Sequence, residues 1–187
     1  MKLKTCKQCK VKFEPSRPLQ MVCSSKCGYD YVKESNIKKA KTDWQKEKKV
    51  IKEKLMTSRD YLQIAQKIFN IYIRTRDEGL NCISCNKPIK KGNCDAGHMW
   101  SAGNHANVRF NELNVNSQCS RPCNKDLSGD VNNYRIGFIK KYGEENLKEL
   151  DSIANLERKF TIDELKELIK TYKVKIKQLK NKKLWQK

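Results

Sequence analysis

The chain has 187 residues and a formal net charge of +20, with 41 Lys and Arg against 21 Asp and Glu. That length suits one ordinary domain or two small metal-stapled ones, and that charge repels itself unless the partner is a polyanion. No segment sets Trp, Phe and Leu against a lysine face, so nucleic acid is favoured over a membrane surface. Met1-Lys-Leu-Lys-Thr-Cys6 leads into no apolar run and no stretch reaches membrane-spanning length. The expectation is a cytoplasmic protein without signal peptide or membrane span, in which close cysteine pairs bind metal rather than form disulfides.

Nine cysteines divide as eight ligands and one spare. Residues 1–28 carry Cys6-x-x-Cys9 and Cys23-x-x-x-Cys27, a four-thiolate set that fills a closed tetrahedral zinc site. With Lys4, Lys7, Lys10, Lys12 and Arg17 around it, this knuckle is either a phosphate-contacting module or a metal-stapled cap for the next helix. From Tyr29 to Met56 there is no Gly or Pro, lysine dominates, and Ile37, Trp44 and Ile51 recur seven apart. Residues 29–57 are therefore expected to form a basic helical arm: a DNA-tracking element, a weak coiled-coil partner, or a charged linker of fraying helicity.

Residues 58–143 hold the densest chemistry. Ser58 is the expected N-cap of a helix whose Tyr61, Ile64, Ala65, Ile68, Phe69, Tyr72 and Ile73 make a wide apolar stripe, ended by Gly79. Cys82-x-x-Cys85 and Cys119-x-x-x-Cys123 supply a second structural zinc site, with a hairpin expected between Cys85 and His98. From Lys125 the chain is expected to continue into a helix reaching Tyr142, stopped by Gly143. Residues 144–187 read as a short helix bearing Leu147, Leu150 and Ile153, then a capping box Thr161 to Glu164. That box opens a last helix, which ends in the basic tail Lys180 to Lys187, placed to touch phosphates. The expected fold is mainly α, with small zinc-stapled β-hairpins.

Between the core cysteine pairs lie groups that zinc does not need: Asp95-Ala-Gly-His98, Arg109, Asn111, Asn114, Asn116 and, after the last cysteine, Asn124-Lys125. Phosphodiester cleavage requires water to be deprotonated near neutral pH, which suits His98, and a hard divalent cation on oxygen ligands, which suits Asp95 with Asn124. The plain alternative is a structural zinc finger without catalysis. His105 reads as a loop residue meeting solvent or DNA. Cys94 reads as a small buried hydrophobe, or else as a replacement for one zinc ligand. Arg109 either clamps a phosphate or pairs with Glu112; Asn111, Asn114 and Lys125 are supporting or DNA-contact candidates.

Cys82-Ile-Ser-Cys85, Asp95-Ala-Gly-His98, Arg109-Phe-Asn-Glu112, Gln118-Cys119 and Cys123-Asn124 resemble the NinG (Rap) recombination proteins of lambdoid phages over most of the chain. The pattern is similar to the His-Me finger (HNH, ββα-metal) nucleases, with phage endonuclease VII as the nearest mechanistic relative, although Asp and His are adjacent in the commonest HNH form. The resemblance implies a Mg²⁺- or Mn²⁺-dependent endonuclease that acts in the host cytoplasm. Its substrates would be branched recombination intermediates, Holliday junctions and D-loops, and its products a 5′ phosphate and a 3′ hydroxyl. It implies Asn124 as metal ligand and a middle Asn, by spacing Asn114, that fixes the hairpin or orients the histidine. Two symmetric incisions at a junction imply a homodimer. The other reading is a non-catalytic zinc DNA-binding recombination accessory protein.

Overall fold

The structure, a computed structural model, describes residues 2–184, and for 183 and 184 the backbone alone. The last three residues of the expected basic tail lie outside the described residues. The chain divides into two compact units, Met1–Met56 and Thr57–Lys187.

In the first unit β1 (Lys4–Thr5) pairs antiparallel with β2 (Lys12–Phe13). The turn between them closes through Cys6 N–H to the Val11 carbonyl at 2.9 Å, with Lys10 at φ +63. Ser24 caps α1 (Ser25–Lys54) by accepting from the Cys27 amide, which satisfies an orphan N–H of the first turn. The helix thus starts inside the zinc module, four residues before the expected Tyr29. No residue of α1 is buried, as a stripe of three apolar residues over thirty dictates.

In the second unit α2 (Ser58–Arg76) is capped by Thr57, one residue before the expected Ser58, because Thr57 and Asp60 close a reciprocal capping box. Its buried face is Tyr61, Ala65, Phe69, Tyr72 and Ile73. It packs on α5 (Ile162–Leu184), which opens on the expected Thr161–Glu164 box and runs as helix beyond Lys180. Edge-to-face contact of Phe69 with Tyr172, centroids 4.8 Å apart, centres that interface. Against it lies the two-stranded sheet of β3 (Cys94–His98) and β4 (Val115–Cys119), antiparallel with Cys94 opposite Cys119 and His98 opposite Val115.

That pairing corrects the hairpin expected between Cys85 and His98. The partner of β3 lies beyond a long loop, while the Cys82 region forms a tight knuckle closed by Cys82 N–H to the Lys87 carbonyl. The helix expected to grow from Lys125 also starts later, as α3 (Val131–Tyr142), because Ser128, Gly129 and Asp130 all take positive φ. Then α4 (Glu144–Ala154) folds back, and Tyr134, Phe138, Leu147 and Leu150 build a second core with Ile83, Met99 and Val108. Gly137 permits it: a Cβ there would stand 1.8 Å from the Ile83 carbonyl oxygen.

Candidate metal centres and active site

The knuckle at Cys82 and the end of β4 bring four sulfurs together. Cys82 Sγ lies 3.8 Å from Cys123 Sγ and Cys85 Sγ 3.8 Å from Cys119 Sγ, with all four within 4.8 Å of one another. A tetrahedron of ~2.3 Å Zn–S bonds has edges of ~3.8 Å, so the site fits zinc. The Cys119 amide donates to Cys82 Sγ at 3.3 Å, the kind of bond that orients a metal-bound thiolate. Burial, then the neighbouring Cys82 and Cys85 sulfurs, pushes the Cys119 thiol up to about 12: so many thiolates cannot ionise together without a cation.

The N-terminal set is equally close, with Cys23 Sγ 3.5 Å from Cys9 and 3.6 Å from Cys27, and with the Cys23 amide on Cys6 Sγ at 3.4 Å. Burial opposes ionisation of Cys6, but backbone N–H groups of Cys23, Cys9 and Gln8 outweigh it and bring that thiol down to about 6. Cys23 donates its S–H to the Cys27 sulfur, and this bond, then the one shared with the Cys9 sulfur, holds the proton and pushes Cys23 up to about 12. Two Cys₄ groups able to hold zinc are thus present among the described residues. Cys94 belongs to neither; it is half-buried, with its thiol 3.5 Å from Ser117 Oγ.

Asp95 and Asn124 meet. Asn93 holds the turn Ser120–Asn124 through its Nδ2 to the Arg121 carbonyl and its Oδ1 from the Arg121 amide. That places Asn124 Nδ2 2.9 Å from Asp95 Oδ2, beside the zinc cluster. The carboxylate and the remaining carboxamide oxygen form a hard donor pair suited to a divalent cation.

His98 stands three residues further along β3. Strand alternation puts it on the α2-facing side with Ala96, which packs on Phe69 and Ile73, whereas Asp95 shares the other face with Gly97. The two Cα atoms are separated by ~10 Å along the strand. A site using both must therefore run along the outer edge of β3, which no strand pairs among the described residues. Burial lowers the His98 pKa and the Arg109 charge adds to this, against carbonyl bonds near Arg109 and Ala96 that raise it. The imidazole is then neutral at pH 7, and Gln66 Nε2 at 3.4 Å can donate to its Nε2.

The remaining expected residues divide. Asn114 is fully buried, its Oδ1 accepting from the Trp100 amide and its Nδ2 donating to the Trp100 and Val108 carbonyls, so it ties the loop between β3 and β4. Its side chain is spent on the backbone and has no surface left to offer DNA. Asn111 accepts from the Leu113 amide in a local turn. Arg109 donates to the Ala102 carbonyl, while Glu112 is bound by Tyr72 and Lys175; the Arg109–Glu112 pair is replaced because α5 delivers a nearer cation. Lys125 is exposed. His105 is half-buried against the Trp100 ring, centroids 4.6 Å apart, rather than a plain solvent-facing loop residue.

Sequence reasoning missed a buried polar lock. Arg76 clamps Asp77 through two nitrogens and reaches the Val115 carbonyl; Asp77 accepts from the Ser117 amide. Asn116 takes bonds from Tyr142 and Lys141 and donates to Tyr134, whose hydroxyl bonds the Gly97 carbonyl. Adjacent Arg76-Asp77 at a helix end carries no local signal of burial. The one available signal was the segment Asn114-Val-Asn-Ser-Gln118, whose four polar side chains are incompatible with burial unless each finds a partner.

Comparison with known proteins gives a single answer. The family model described as Bacteriophage Lambda NinG protein matches residues 1–182. Protein ninG of Escherichia phage lambda is 32% identical over 188 residues, covering 93% of this chain and 91% of the relative. Protein ninG of Escherichia phage 933W is 30% identical over 94% of this chain and 93% of its own, and that of Salmonella phage P22 29% over 93% and 91%. No solved structure matches the chain.

Proposed function

The chain belongs to the NinG family, and from that premise we propose that it is a divalent-metal-dependent endodeoxyribonuclease acting on branched recombination intermediates such as Holliday junctions and D-loops. Residues 58–143 would form its ββα-metal core. The observation that carries the reading is the Asp95–Asn124 contact at 2.9 Å beside a fully formed Cys₄ cluster. Zinc in that cluster has no open position and needs neither residue; a second, oxygen-loving cation does.

Mg²⁺ or Mn²⁺ held by Asp95 and Asn124 would supply charge neutralisation at the phosphate and its departing 3′ oxygen. His98, neutral at pH 7, takes the proton of a water whose oxygen attacks phosphorus as the bond to O3′ breaks. The products are a 5′ phosphate and a 3′ hydroxyl. A phosphodiester would have to lie along the free edge of β3 to meet both Asp95 with Asn124 and His98, whose ends of the strand are ~10 Å apart. Two incisions at a near two-fold junction require a homodimer, and the work belongs in the host cytoplasm. No helix among the described residues is long and apolar enough to cross a membrane.

The placement of His98 on the α2 face favours a second reading, a non-catalytic zinc DNA-binding accessory protein in which Asp95–Asn124 is only a turn staple. Incubating the zinc-loaded protein with a four-way junction, with and without Mg²⁺ or Mn²⁺, separates the two. Nicks with 5′ phosphate ends that need added cation support the nuclease; bound but intact junction under all conditions supports the accessory protein.

A further inference from the structure

The first unit carries a recess that zinc binding does not require. A cavity of about 580 Å³ opens between the β1–β2 knuckle and the start of α1. Tyr31, Glu34, Ser35 and Lys38 line it from α1, at spacings of three, four and seven residues that set them on one helix face. Lys7, Gln8 and Lys10 line it from the knuckle. Three ammonium groups thus surround one carboxylate, and Glu34 is already engaged by Gln8 Nε2 at 2.8 Å. Lys10 is fixed by its own bond to the Lys7 carbonyl at 2.8 Å. A half-buried phenol ring, a carboxamide and a hydroxyl complete the lining.

The same face continues beyond the cavity. At 100° per residue, Lys41, Thr42, Gln45, Lys48, Lys49 and Lys52 fall within about 80° of Lys38, a basic row some 21 Å long. Asp43 and Glu47 lie on the opposite side of the helix. A duplex backbone is convex and hides its bases, so it has no use for a recess with an aromatic wall. An unpaired strand offers both a base to stack and phosphates to follow.

We propose that this unit binds an unpaired DNA strand, one nucleotide seated against Tyr31 with its phosphate among Lys7, Lys10 and Lys38, and the following phosphates tracked along α1. The proposal rests on the DNA-binding part of the functional reading but not on catalysis, and it is tested without added divalent cation. The probe is the full zinc-loaded chain with fluorescent oligo-dT, competed in turn by unlabelled oligo-dT, by an abasic oligomer of equal length and by inorganic phosphate. Oligo-dT should compete best and inorganic phosphate not at all. Tyr31→Ala should weaken binding roughly 5- to 100-fold while both metals are retained. Lys7→Ala with Lys38→Ala should lower the salt slope by ~0.7 per lost contact. Ultraviolet cross-linking of 5-iodouracil-substituted strand should mark Tyr31. Equal competition by the abasic oligomer, an unaltered Tyr31→Ala affinity, or cross-links confined to other residues would overturn the proposal. A junction left uncut in the cleavage assay leaves this result untouched.

Discussion

The two Cys₄ clusters offer the same four sulfurs in opposite surroundings. Among the described residues of the first unit only Cys6 and Pro15 are buried, Cys9 is exposed, the strands are two residues long and α1 buries nothing. In the second unit Cys82, Cys119 and Cys123 are buried, and the sheet they staple packs on Phe69, Ile73 and Tyr172. Where no apolar side chain can exclude water, the metal has to be the core; where a core already exists, the metal fixes its register. The Asp95–Asn124 pair lies beside the second cluster, on elements whose register is fixed.

The largest expected effect breaks the first unit alone. Structural zinc in small modules supplies ~10 kcal/mol or more of folding energy, so Cys6→Ser should lose one of two zinc ions and all ordered structure in residues 2–24. Elemental analysis with amide spectra would show this, and the melting of α2 to α5 should not move. Cys82→Ser should also lose one zinc, yet leave a helical second unit that melts earlier; Cys94→Ser should keep both. An intact β1–β2 hairpin in metal-free Cys6→Ser would remove the distinction between the clusters.

A smaller effect separates core from staple. Gly137→Ala drives a methyl into the Ile83 carbonyl at 1.8 Å, and backbone cannot yield as a side chain can. Destabilisation of about 3 kcal/mol is expected, read as a fall of roughly 10 °C in Tm. Asn114→Ala, which orphans the Trp100 amide and two carbonyls, should cost about 2 kcal/mol. Neither should release zinc if the apolar core and the metal contribute separately.

The smallest effect is a pH dependence. The folded pKa of His98 is depressed, chiefly by burial, so above the unfolded value near 6.5 both states are neutral and nothing is lost. As pH falls through that value the unfolded chain takes a proton that the folded chain refuses, and stability drops until the folded imidazole also titrates. Melting curves between pH 8 and 5 should show this slope, and His98→Gln should flatten it.

Much of this was legible beforehand where the signal is local. The Thr161–Glu164 box, the apolar stripe of α2 and the eight paired cysteines each lie within a few residues, and each is found as the sequence implies. Strand pairing was not legible, because Val115-Asn-Ser-Gln-Cys119 has no alternation of apolar and polar residues. Its partners are Asp77, Tyr134 and Ser84, far away in sequence, so nothing local marks this polar segment as a buried strand. The same long-range satisfaction hid Gly97, where a Cβ would strike Gln118, and Glu112, which α5 rather than Arg109 neutralises.

The proposed division of labour, Asp95 and Asn124 holding a catalytic cation while His98 moves the proton, is open to kinetics on a four-way junction at saturating protein. His98→Ala should bind like the parent and cut roughly 10²–10⁴-fold more slowly at every Mg²⁺ concentration, whereas Asn124→Ala should recover part of its rate as Mg²⁺ or Mn²⁺ is raised. Parental rates for His98→Ala would remove His98 as the base, and an Asn124→Ala defect indifferent to metal concentration would remove Asn124 as a cation ligand.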